Sequence, residues 1–111
     1  MKPFSEMTNE ELDHHIAELG GWVRVGNFPE WVKGNVATMK LPSPTTDPRY
    51  AMELLEEIVK DGIHSYTLYC DGGAYYSFEI RVAGDKSTAF AEGNDKLRVI
   101  NEAYAQWKGA E

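Results

Sequence analysis

The sequence predicts an α+β fold, a mainly antiparallel five-stranded sheet packed with three helices in the order α-β-β-α-β-β-β-α, an α/β sandwich. Three observations predict it. Three segments open on a capping signal and continue with apolar residues at helical spacing. The segments between them alternate apolar and polar residues with a period of two, and are rich in β-branched and aromatic residues. Several strand-to-strand connections are short turns, which only antiparallel neighbours can use. The chain has 111 residues, 42% apolar and 26% charged, the balance of one soluble domain spanning 1–111.

The first helix starts at Thr8. Thr8 and Glu11 form a T-x-x-E capping box, and Met7 and Leu12 flank the cap as a staple. Leu12, Ile16 and Leu19 share a face, and Gly20-Gly21 ends the helix. Trp22 to Val25 reads as a strand, Gly26 to Gly34 as a broad turn holding Phe28, Pro29 and Trp31, and Val36 to Leu41 as the returning strand. Pro42, Pro44 and Pro48 make the next stretch an extended connector.

Asp47-Pro48 starts the second helix, Asp as cap and Pro in the first turn. Its buried stripe is Ala51, Leu54, Leu55, Ile58 and Val59, and Gly62 stops it. Three strands follow. In His64 to Cys70, Tyr66, Leu68 and Cys70 share the apolar face. In Tyr75 to Val82, Tyr76, Phe78, Ile80 and Val82 face inward. A Gly84-Asp85 hairpin turn leads to Ser87–Ala91. Asn94 is the expected cap of the last helix, whose core face is Leu97, Ile100, Tyr104 and Trp107.

Composition excludes several classes of function. A net charge of −7 argues against binding long nucleic acid or an anionic membrane, since both need clustered Lys and Arg. It leaves room for a local basic pocket that takes one small anion. Cys70 is the single cysteine, so no disulfide and no cysteine zinc site is expected. MKPFSEMTNEELD lacks an apolar core and does not read as a signal peptide. No apolar run approaches the roughly 18 residues of a membrane span.

No catalytic set emerges. His14 and His15 point about 100° apart on a helix and cannot chelate one ion together. Glu10, His14 and Glu18 share a face that reads as solvated. His64 has no visible partner, and Cys70 reads as a small buried hydrophobe. Glu56-Glu57 lies on an exposed helix face. The Asp71-Gly72-Gly73 turn lacks the residues of a phosphate loop. No cofactor, no metal and no enzymatic activity is expected.

The aromatic and basic residues between Gly21 and Tyr50 point to a ligand. Trp22 and Arg24 share a strand face. Trp31 is followed by Lys33, and Arg49-Tyr50 opens the second helix. Aromatic faces beside Arg or Lys stack a base and pair its phosphates. The same residue types also close the edge of small cores. The candidate ligand-binding residues are Trp22, Arg24, Trp31, Lys33, Arg49 and Tyr50.

The motifs in this order resemble a known family. They are T-x-E-E-L in the first helix, Gly21-Trp22, a Trp-rich turn, Leu41-Pro42, Thr46-Asp47 opening a helix, and a closing helix with Ile-x-x-Ala-Tyr. Together they resemble the phage ABA sandwich domain family, small proteins of phages and prophages. Where the family pattern has an aromatic between Leu-Pro and Thr-Asp, this chain has Ser43-Pro44-Thr45. The resemblance implies a phage origin, an α/β sandwich and action in the host cytoplasm. Small phage proteins of this kind include oligomeric sponges that sequester a defence signalling nucleotide, of the cyclic ADP-ribose type or a cyclic dinucleotide. That is the expected function, with a homodimer or higher homo-oligomer as the expected assembly. The alternative is a phage structural or interaction protein of assembly or host takeover, with no small-molecule ligand. Residues 47–108 also follow the α-β-β-β-α order of a double-stranded RNA-binding domain. The start of the last helix, Asn94-Asp95-Lys96-Leu97-Arg98, is too poor in bases for that role.

Overall fold

The computed structural model describes residues 2–26, 30–83 and 86–110. Phe28 and Pro29 of the expected broad turn, and the Gly84-Asp85 turn, lie outside the described residues. Among the described residues the fold is α+β, with three α-helices and two three-stranded antiparallel sheets. After a 3-10 turn at Phe4–Glu6 come α1 (Asn9–Leu19), β1 (Val23–Val25), β2 (Glu30–Lys33), β3 (Val36–Thr38), α2 (Pro48–Val59), β4 (His64–Asp71), β5 (Tyr75–Val82), β6 (Lys86–Gly93) and α3 (Lys96–Gly109).

The single five-stranded sheet is thus corrected to six strands in two sheets. The difference lies in Glu30–Lys33, which forms a strand where a turn was expected. Val32 pairs with Val23 on one side and with Ala37 on the other. The Gly34-Asn35 loop, with Gly34 at φ +59°, returns the chain as a two-residue hairpin, a turn that favours glycine. The returning strand therefore pairs with β2 and not with β1, and it ends at Thr38 instead of Leu41.

The core lies between the larger sheet and the helices. Phe78 and Ile80 of β5 and Ala89 and Ala91 of β6 meet Val99, Ile100, Ala103, Tyr104 and Trp107 of α3. The two alanines leave space for α3 to lie close to the sheet. α2 bridges β4 and α3 through Ile58. α1 packs on α3 through Leu12 and Ile16, and its His14 meets Trp31 of the small sheet. β5 alternates as its sequence predicts, with Phe78 and Ile80 fully buried. The opposite sheet face stays open, with Tyr69, Tyr75 and Phe90 about half exposed.

The caps explain where the helices begin. Thr8 and Glu11 exchange hydrogen bonds of 3.1 and 3.0 Å, the complete capping box. Asp47 accepts from the Arg49 N–H at 3.0 Å. Asp95, one residue later than Asn94, caps α3 by accepting from the Arg98 N–H at 3.2 Å. Cys70 is exposed and not buried, because it sits beside the turn on an edge strand. His64 has partners after all. Its Nδ1 lies 2.5 Å from Asp61 Oδ2, and its ring meets Trp107 edge-on. The backbone N–H of Ile63, together with His64, holds the Asp61 carboxyl below the usual carboxylate range.

Arg98, one of the two bases at the start of α3, is spent inside the fold. Its guanidinium donates to Glu102, Asn9 and the carbonyls of Phe4 and Met7. It fastens the start of the chain and does not face outward to a phosphate backbone.

Candidate functional site

The proline connector is positioned by a buried carboxylate. Asp13, on the inner face of α1, is 7% exposed. Its Oδ2 accepts from Ser43 Oγ at 2.6 Å and Thr45 Oγ1 at 2.9 Å, and its Oδ1 accepts from the Thr45 N–H at 3.1 Å. On the other side Asn101 Nδ2 donates to the Pro44 carbonyl at 2.9 Å. The connector is thereby held between α1 and α3, and Asp47 is delivered to start α2. Proline supplies no N–H of its own, so the flanking Ser and Thr make these bonds. No local signal marks Asp13, whose partners lie about thirty residues away.

This arrangement leaves two adjoining clefts, of about 720 and 520 Å³. Both are lined by Trp22, Pro42 and Tyr50, which form the ridge between them. The larger cleft runs along α2 and the end of α1, with Lys33, Lys60, Glu53 and Glu56 in its walls. The smaller opens toward the start of α2, with Lys40, Arg49, Ser43 and Thr46. Either exceeds the roughly 300 Å³ at which small-molecule pockets begin. One subunit supplies this space alone, so pocket size does not by itself require a second copy.

The six candidate residues divide. Strand register puts Arg24 opposite Trp31 and Trp31 opposite Thr38, and alternation adds Trp22 and Lys33 to that same face. Trp22, Lys33, Arg49 and Tyr50 reach the clefts. Trp31 does not. It is 4% exposed, with its ring 5.2 Å from the ring of His14, and it seals the small sheet against α1. Arg24 is exposed and lines neither cleft. Trp22 owes its place to the end of α1, where Gly21 at φ +98° turns the chain and the Trp22 N–H donates to the Ala17 carbonyl at 3.0 Å.

Charge in the site is unevenly committed. Arg49 holds Asp47 through two guanidinium nitrogens, at 3.1 and 3.4 Å. Those hydrogen bonds hold the Asp47 carboxyl below its usual range and raise Arg49 above its own. The Arg49 guanidinium also lies 5.7 Å over the Tyr50 ring, a cation–π contact. Lys33, Lys40 and Lys60 make no ion pair among the described residues. Glu57 accepts from the Tyr104 hydroxyl and lies 3.4 Å from Lys108. Glu56 and Glu57 thus line a cleft, where the sequence suggested only an exposed helix face. His14, read with Glu10 as part of a solvated face, lies 3.9 Å from Glu10 and against Trp31.

The arrangement offers flat apolar surface from Trp22 and Tyr50, with unpaired ammonium groups on both sides. Comparison with protein-family models, curated proteins and solved structures finds no match to this chain. Among the described residues no helix is long and apolar enough to cross a membrane.

Proposed function

We propose that this is a non-enzymatic phage counter-defence protein that binds and sequesters a host signalling nucleotide in the host cytoplasm. One observation carries the reading: Trp22 and Tyr50 form a ridge shared by two clefts, with Lys33 and Lys60 on one side and Lys40 and Arg49 on the other. A base stacks on the ridge and its phosphates meet the cations. The motifs that resemble the phage ABA sandwich family support the phage setting. Catalysis has little to work with here. Asp13 is engaged by three donors, and Glu57 by Tyr104 and Lys108.

The test is direct. The pure protein is incubated with nucleotide extract from infected cells, filtered and heated, and the released compound is identified. Calorimetry with cyclic ADP-ribose isomers and cyclic dinucleotides then gives the affinity. The expected result is one class bound and recovered chemically intact. A cleaved product would make the protein an enzyme. Failure to bind any nucleotide would leave the assembly-protein reading ahead.

A homodimer is the proposed assembly, formed through the open face of the larger sheet. Tyr69, Tyr75 and Phe90 lie on the same face as the Glu79–Arg81 ion pair, Phe90 directly opposite Glu79, so the face carries apolar rings and both signs of charge. A face of that kind can meet its own copy across a two-fold axis. Sedimentation at micromolar protein is expected to show a dimer, and Phe90→Glu is expected to shift it to monomer. A wild-type monomer would remove this assembly without touching the clefts.

A further inference from the structure

α2 presents Arg49, Glu53, Glu56 and Lys60 as one exposed stripe, spaced four, three and four residues apart. Such a stripe ordinarily closes on itself through pairs four residues apart. Here Arg49 turns back to Asp47, and Glu56 and Lys60 form no ion pair. The carboxylates of Glu53 and Glu56 make no hydrogen bond or ion pair among the described residues. Both line the larger cleft beside Trp22 and Tyr50. Two open carboxylates facing an anionic ligand repel it, unless the ligand brings N–H donors to meet them.

Resting on the nucleotide reading above, we infer that the base held in the larger cleft is guanine, with its Watson–Crick edge turned to Glu53 or Glu56. That edge carries two adjacent N–H donors, which match the two oxygens of one carboxylate. Adenine and cytosine set an acceptor ring nitrogen beside their amino groups, and uracil sets carbonyl oxygens on both sides of its ring N–H. Each of these faces a carboxylate with like partial charge. The phosphate lies toward Arg49 and Lys40, at the end of α2 where the helix dipole favours anions. Arg49 and Glu56 stand about 10 Å apart along the helix axis, the reach of a nucleoside phosphate from phosphate to far base edge. The stripe therefore orients the ligand, with the phosphate at its N-terminal end and the base toward the middle of the helix.

The test is calorimetric titration of the full chain with GMP, AMP, cyclic diguanylate and cyclic diadenylate. The guanine compounds are expected to bind at least about tenfold tighter than their adenine counterparts, the discrimination of one bidentate contact. Glu53→Gln or Glu56→Gln replaces one acceptor oxygen by a donor. One of these variants is expected to reduce the guanine preference to within about twofold, with AMP bound at least as tightly as by the wild type, because one repelling charge is gone, and with the thermal midpoint unchanged. Equal or tighter binding of the adenine compounds overturns the base assignment and leaves the nucleotide site standing. A preference that survives in both variants and in their combination overturns it as well. If none of the four binds and the extract also yields no nucleotide, the sequestration reading falls and this inference with it.

Discussion

Asp13→Ala is expected to destabilise the protein by about 3 kcal/mol, because it removes the acceptor of three hydrogen bonds in a buried place. Hydrogen bonds to a charged group are worth about 1.5–3 kcal/mol each, but three on one carboxylate do not add in full. The loss also takes away the acceptor of the buried Thr45 N–H. For a chain of this size the thermal midpoint is expected to fall by roughly 10–20 °C. Thr45→Val keeps the side-chain shape and removes one donor, so about 1 kcal/mol is expected. The double variant should be less destabilised than the sum, since both changes break the same bond. Denaturant melts of the two single variants and the double variant check this. An Asp13→Ala protein within 1 kcal/mol of wild type would mean that the connector holds its course without the clamp.

The distribution of legible and illegible features follows from how far each interaction reaches along the chain. Thr8–Glu11 and Asp47-Pro48 are contacts within one helical turn, and both caps form as their spacing indicates. The alternation in Tyr75–Val82 is also local, and Phe78 and Ile80 are buried. β2 was hidden because a four-residue strand between glycines resembles a loop. Gly34-Asn35 was the available signal, a two-residue hairpin sequence between Lys33 and Val36. The division into two sheets depends on pairing that no single strand reveals. The Asp13 clamp joins residues about thirty apart. Composition pointed to the stretch from Gly21 to Tyr50, and register does bring Trp22, Arg24, Trp31 and Lys33 to one face. What composition lacked was the position of α1, which covers Trp31 and leaves Trp22 at a cleft.

That division yields the second large effect, a split between two tryptophans. Trp31 is 4% exposed, and Trp31→Ala empties a place between the small sheet and α1. A cost of about 3–5 kcal/mol in stability is expected, as for other buried aromatic truncations. Trp22 is half-buried and lines both clefts. Its truncation should cost less stability and more binding. Base–aromatic stacking contributes about 1–3 kcal/mol, so Trp22→Ala is expected to weaken nucleotide binding on the order of tenfold to a hundredfold. Trp22→Phe keeps a ring and should retain much of the affinity. Tyr50→Ala belongs with Trp22, because it lines the same ridge. Arg24→Ala should leave affinity unchanged, since Arg24 reaches neither cleft. Arg49→Ala should fall in between, because its fork is already shared with Asp47. Denaturant melts and calorimetry on the same preparations separate the two quantities. Full-strength binding by folded Trp22→Ala and Tyr50→Ala proteins would remove the ridge as the site. A Trp31→Ala protein of wild-type stability that had lost binding would instead put the ligand on the far side of the small sheet, against the burial of that ring.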